Sequence, residues 1–231
     1  MAGVITHMVI AKEMLKLLPE GTIQNLDLFY LGTLAPDAVH ARIGYERAHK
    51  KHTHFRDGIP DSDFELPENY ALYRKRLRDF ISCNRERTDG LLDLYRGYVV
   101  HILTDELFVL SIRKEFCKRM ECLEIGQEDR RFFEAIVTDQ NRNDLLLVYG
   151  YEDMEELRKH MEEAAIYPVE GMVSEQELED SRVWLIDHHF IKKHELLQPA
   201  YITYDRTLDF IYSAAERIVN MMSGEEDLPK M

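Results

Sequence analysis

The sequence predicts an all-α protein built as a single multi-helical domain. Three observations carry that prediction. Apolar residues recur at helical spacing along most of the chain, and no segment reads as a ladder of strands. Of the 231 residues, 45% are hydrophobic, ample for one large core. No internal repeat or low-complexity linker divides the chain.

The elements follow in order. A helix over about residues 6–18 sets His7, Ile10, Met14 and Leu17 on one face, with Lys12, Glu13 and Lys16 turned away. A second, over about 23–34, ends at Pro36. Residues 35–67 read as a long irregular segment with Gly44, Gly58 and Pro60 as breakers. Loops beyond about 12–15 residues are uncommon inside a domain unless they are functional or disordered. This one holds four of the ten histidines, His40, His49, His52 and His54, which points to function. Helices follow over 68–83 and, capped by Thr88 and Asp89, over about 90–119. The remainder reads as helices over about 126–139, 144–149, 154–165, 175–197 and 205–222, with Ser174 and Asp205 as N-caps. The last of these carries a core stripe of Phe210, Ala214, Ile218 and Met221. The domain is assigned to residues 1–222, and 223–231 form an acidic tail expected to be disordered.

Charge narrows the function. Lys and Arg number 29 against 43 Asp and Glu, a net charge of −14 that would repel a phosphate backbone and argues against stable nucleic-acid binding. The start, Met1 to His7, lacks a basic leader, and no apolar run is long enough to span a bilayer. Trp184, among Val183, Leu185 and Ile186, reads as internal rather than as part of a lipid-binding face. Cys83, Cys117 and Cys122 have no metal-binding or redox spacing, and reduced thiols fit a cytoplasmic location.

The most informative stretch is Leu94, Tyr98, His101, Asp105, Phe108 and Ile112. These positions share one helix face, and only the histidine and aspartate on it are polar. A carboxylate on a core-facing stripe costs several kcal/mol, in order of magnitude, unless something pairs with it. A buried His–Asp couple would satisfy that need, and so would a divalent metal shared by side chains one turn apart. Candidate ligands come from three further segments: His7 on the first helix, Asp37 after Pro36, and His54 before Phe55. Such a mixed nitrogen and oxygen set suits zinc, and also manganese or iron. Nearby, Arg42, Arg47, Lys50, Lys51 and Arg56 face the single acid Glu46, a basic patch suited to an anionic substrate. His52, Lys51 and Tyr98 are the substrate-binding candidates; His40 and His49 read as solvated, and His160, His188, His189 and His194 as surface residues.

Thr6-His7, Gly32-Thr-Leu-Ala-Pro36-Asp37, His54-Phe55 and His101-Ile-Leu-Thr-Asp105, in that order, resemble the zinc-dependent phospholipase C family, whose fold is shared with S1/P1-type nucleases. The resemblance covers about the first half of the chain. It implies a helical metallohydrolase of phosphate esters. It also implies one metal at Asp37, His54, His101 and Asp105, with Asp105 able to bridge to a second ion near His7. Asp37 would be a ligand or the general base that orients the attacking water. His7 would complete a second site or hydrogen-bond the metal cage. The chain departs from the full three-metal pattern: Glu106 to Ile112 contains no histidine, and His160 and His188 are followed four residues on by Ala164 and Lys192 rather than glutamate. Two alternatives remain. One is a helical metal-binding or interaction module without catalysis. The other is an HD-type phosphohydrolase, which the absence of any His-Asp dipeptide disfavours.

Overall fold

A computed structural model of the protein describes residues 2–224 and 228–231. Among these the chain is all-α, with one isolated bridge between Val169 and Val173 and no strand. The helices are α1 (Val4–Leu17), α2 (Leu26–Ala38), α3 (Arg47–Thr53), α4 (Pro67–Asn84), α5 (Leu92–Leu110), α6 (Ile112–Cys122), α7 (Arg130–Gly150), α8 (Met154–Glu163), α9 (Glu175–Leu185) and α10 (Tyr204–Met222). No helix among the described residues is long and apolar enough to cross a membrane.

The centre of the molecule is α5, buried along nearly its whole length. It lies against α2 at an approach that two glycines permit. A Cβ on Gly97 would sit 2.0 Å from the Phe29 carbonyl oxygen, and one on Gly32 would sit 2.2 Å from that of Leu94. The backbones therefore touch at this crossing, which no larger residue allows. α1 packs on α2, α5, α7 and α10, while α8 and α9 cover the other side of α2.

Three buried aspartates fasten loops to this core. Asp93 accepts from the Gln24 and Asn25 amides at 2.8 Å. Asp139 accepts from the amides of Ala200, Tyr201 and Ile202 at 2.6–2.8 Å. Asp144, on α7, accepts from the Ile5 and Thr6 amides and the Thr6 hydroxyl at 3.0–3.2 Å. It thus supplies from across the fold the cap that α1 lacks at Gly3.

Several boundaries differ from those the sequence suggests. Pro36 lies inside α2, which continues to Ala38. Its ring already holds a helical φ, and the packed surroundings carry the chain past the missing N–H. The segment 35–67 is not one irregular loop. It contains α3 and two short 3₁₀ turns, Val39–Ala41 and Asp61–Asp63. The long central helix breaks at Ser111, whose φ of −124° and ψ of −81° separate α5 from α6, and whose hydroxyl donates back to the Leu107 carbonyl at 2.6 Å. Conversely, the segments expected at 126–139 and 144–149 are, from Arg130 on, the single helix α7, with Asp139, Asn143 and Asp144 buried along it.

The stretch 175–197 ends as helix at Leu185 and widens into a π turn, Ile186–Ile191. That widening accompanies two departures. His189 is 2% exposed, and Trp184 is 52% exposed, stacked on His188. Ser174 caps α9 in a capping box with Glu177, whereas Thr203, not Asp205, caps α10. In the tail, Leu228 and Met231 are buried, and the Met231 amide donates to the Met222 carbonyl at 3.0 Å, so this end packs instead of fraying. The rest of the expected tail, 225–227, lies outside the described residues.

Candidate metal centre

The α2–α5 crossing sets the centre's geometry. One turn beyond Gly97, His101 turns its Nδ1 to the Thr33 carbonyl oxygen at 2.7 Å. A carbonyl only accepts, so Nδ1 carries the proton and Nε2 points inward with its lone pair. His54 repeats the device at the end of α3. Its Nδ1 donates to the Lys50 carbonyl at 2.9 Å, leaving Nε2 as the inward acceptor.

The local sequence explains how His54 is held. Glu46 and His49 close a capping box at the start of α3. At its end the Phe55 and Arg56 amides bond back to the His52 and Lys51 carbonyls. That pattern needs a left-handed residue, usually glycine; here it is Phe55, with φ of 59°. A strained phenylalanine costs about 1–3 kcal/mol and persists because its ring is buried, 5% exposed, against Phe80 and Tyr98.

Four donor atoms converge. His54 Nε2 lies 3.2 Å from His101 Nε2, 3.3 Å from Asp37 Oδ1 and 3.5 Å from Asp105 Oδ2. His101 Nε2 lies 3.9 Å from Asp105 Oδ2 and 4.0 Å from Asp37 Oδ1. Ligands of one tetrahedral zinc, at about 2.0–2.1 Å each, sit roughly 3.3 Å apart. Asp37, His54 and His101 are one group of possible ligands near that spacing. His7 stacks flat on His101, centroids 3.8 Å apart and planes within 3°, with its Nε2 3.4 Å from Asp105 Oδ1. His7, His101 and Asp105 form a second, overlapping group of possible ligands.

The polar groups around the site could hold a cation. Both nitrogens of His7, Asp37 Oδ1 and Asp105 Oδ2 are buried without a hydrogen bond. The Lys50 ammonium is 2.5 Å from Asp37 Oδ1, in ion-pair range but misaligned as a hydrogen-bond donor. With both Nδ1 atoms committed, the Nε2 atoms of His54 and His101 face each other at 3.2 Å, an arrangement that could take a cation between them. Burial holds the His101 pKa well below its ordinary value, assisted by His7, so the ring is in the neutral form a metal requires. Burial alone would raise the two carboxyls. It is outweighed at Asp37 chiefly by the Lys50 ammonium, and at Asp105 by the positive charge and donors around it, so both lie well below the usual range. Asp105 is further fixed by the Ala2 amide, which donates to Oδ1 at 2.8 Å.

All five proposed ligands therefore meet in one place. The substrate-binding candidates do not. Tyr98 is fully buried beneath the centre, its hydroxyl donating to the Thr53 carbonyl. Lys51 donates to the Ile59 carbonyl at 2.9 Å, and His52 is bonded to Asp57 and the Gly171 carbonyl. Most of the basic patch is committed elsewhere: Arg42 to Glu177, Arg47 to Asp61, Arg56 over the Phe64 ring. A groove of about 570 Å³ beside Arg42, Arg87 and Tyr95 includes none of the ligand candidates. The residue that does face the centre is Lys50, which sequence reasoning missed by one position. The signal was present: Lys50 and His54 are i and i+4, on one face once residues 47–53 are recognised as a helix. No family model matches the chain, and neither a curated protein nor a solved structure is similar to it.

Proposed function

We propose that the protein is a metal-dependent hydrolase of phosphate esters, a phospholipase C-like enzyme or phosphodiesterase, acting on a small phosphate-ester substrate. Asp37, His54, His101 and Asp105 would hold one divalent ion, zinc before manganese or iron, and His7 would either complete a second site with Asp105 or hydrogen-bond the cage. The observation that carries the reading is the pair of Nε2 acceptors 3.2 Å apart, flanked by two unsatisfied carboxylate oxygens. The order of the four sequence pieces supports the phosphoester class.

A bound divalent ion supplies an acidified water and a counter-charge for phosphoryl oxygens. The chain's own residues do the rest. Thr33 and Lys50 carbonyls orient the imidazoles and keep their tautomers. The Ala2 amide fixes Asp105. Asp37, 21% exposed at its side chain, is the candidate ligand nearest solvent and would orient an attacking water. The enclosure of His54, His101 and Asp105, each no more than 3% exposed, equally suits a purely structural ion.

Metal analysis by ICP-MS with anomalous scattering, followed by assays on bis(p-nitrophenyl) phosphate, p-nitrophenyl phosphate and p-nitrophenyl phosphorylcholine, separates these readings. Catalysis requires bound metal and turnover that His101→Ala and Asp105→Ala abolish. Metal without turnover of any of the three leaves the structural ion. Protein that takes up no Zn²⁺, Mn²⁺ or Fe²⁺ ends both.

A further inference from the structure

Lys50 is a lysine in an unusual place. It is 8% exposed, on the same face of α3 as His54, and its Nζ sits 2.5 Å from Asp37 Oδ1 and 3.1 Å from His40 Nε2. Asp37 and His40, with side chains 21% and 48% exposed, form the solvent edge of the centre. Lys50 therefore stands between the buried ligands and the side from which a small molecule would arrive.

Its charge has a consequence once the centre is loaded. Two carboxylates, Asp37 and Asp105, neutralise one divalent ion, and the three histidines are neutral when they ligate. Asp37 then shares its charge with the ion and no longer balances Lys50. A largely buried ammonium without a counter-charge is costly. His40 offers it a neutral acceptor but no negative charge. The loaded centre thus lacks one anion, at a point beside Asp37.

We infer that Lys50 is the residue that anchors the anionic oxygen of the substrate, taking up a phosphate-type oxygen when the metal has claimed Asp37. This rests on the metal centre proposed above. The same geometry makes the Lys50–Asp37 pair the resting state of the metal-free protein, in which the ammonium stands in for part of the missing positive charge. His40 positions the ammonium.

The test uses the full chain reconstituted with Zn²⁺, inorganic phosphate as the probe, calorimetry for phosphate and ICP-MS for metal. Wild type is expected to bind zinc and then phosphate. Lys50→Gln should hold zinc at the wild-type ratio while its phosphate affinity falls by about tenfold or more, and Lys50→Arg should stay within about threefold of wild type. Should Lys50→Gln fail to fold, Lys50→Met, which keeps the stem, carries the same expectation. Zinc-loaded protein whose phosphate affinity is unchanged in the uncharged variant, or that binds no phosphate at all, overturns this inference alone. A wild type that takes up no metal overturns the centre, and the role of Lys50 with it.

Discussion

Five enclosed aspartates divide into two kinds. Asp93, Asp139 and Asp144 have both oxygens occupied by donors, mostly backbone amides of a loop or helix start. Asp37 and Asp105 each keep one oxygen without a hydrogen bond, facing imidazoles. Burial is similar for Asp105 and Asp144, each 1% exposed, so burial does not distinguish them. The completeness of the donor set does. A carboxylate whose donors are complete holds the fold together, and one with an oxygen open beside imidazoles could take a further partner.

The largest expected effect falls on the first kind. Asp139→Ala strips three amides of their acceptor, one of them buried Ile202, and should cost about 3–4 kcal/mol in urea unfolding while leaving metal uptake unchanged. Loss of metal in this variant would dissolve the distinction.

Asp144 offers a pH test. Burial raises its pKa from 3.8 to about 6, against the lowering pull of the Ile5 and Thr6 donors. An acid with a raised native pKa binds more protons folded than unfolded, so its contribution is full below about pH 4 and is lost as pH rises through 6. Asp144→Asn lacks that dependence. Its destabilisation should therefore be greater at pH 4 than at neutral pH, shrinking by roughly 2 kcal/mol by pH 7, measured as the difference in unfolding free energy from wild type. A constant difference across that range would show that Asp144 does not titrate there.

The second kind should respond to metal instead. Zinc at a hundredfold excess over its Kd should stabilise wild type by about 2.7 kcal/mol, and a chelator should remove that gain. Asp105→Asn keeps a carbonyl oxygen for the Ala2 amide but loses the charge favoured there, so the metal-free protein should be destabilised and the zinc-induced gain should disappear. Equal stabilisation of both proteins by zinc would move the ion elsewhere.

Much of the centre was legible because helical spacing is local. Leu94, Tyr98, His101, Asp105, Phe108 and Ile112 are all buried, as one apolar face demands. What the spacing could not show was the break at Ser111 within that same stripe, since Ile112 remains on the buried side after it. Pro36 misled because a proline in the last turn forfeits one hydrogen bond, which surrounding packing can offset. Lys50 was hidden by a short helix whose cap pairs Glu46 with His49, an uncommon partner for that role. Trp184 was misplaced because its apolar neighbours do not share one helix face: Leu185 is buried while Val183 and Trp184 point to solvent. The clamps of Asp93, Asp139 and Asp144 span 61 to 139 residues of chain and leave no local pattern at all.

The glycine crossing of α2 and α5 has a consequence for how the molecule acquires its chemistry. Thr33 and His101 meet only because Gly32 and Gly97 let two main chains touch, so mating these helices and aiming the imidazole are a single event. A fragment ending before α5 would carry His7, Asp37 and His54 yet have nothing to converge on. Were the protein to capture an ion there, that capture would report its completed tertiary assembly, since positions 68 apart in sequence must first be brought together.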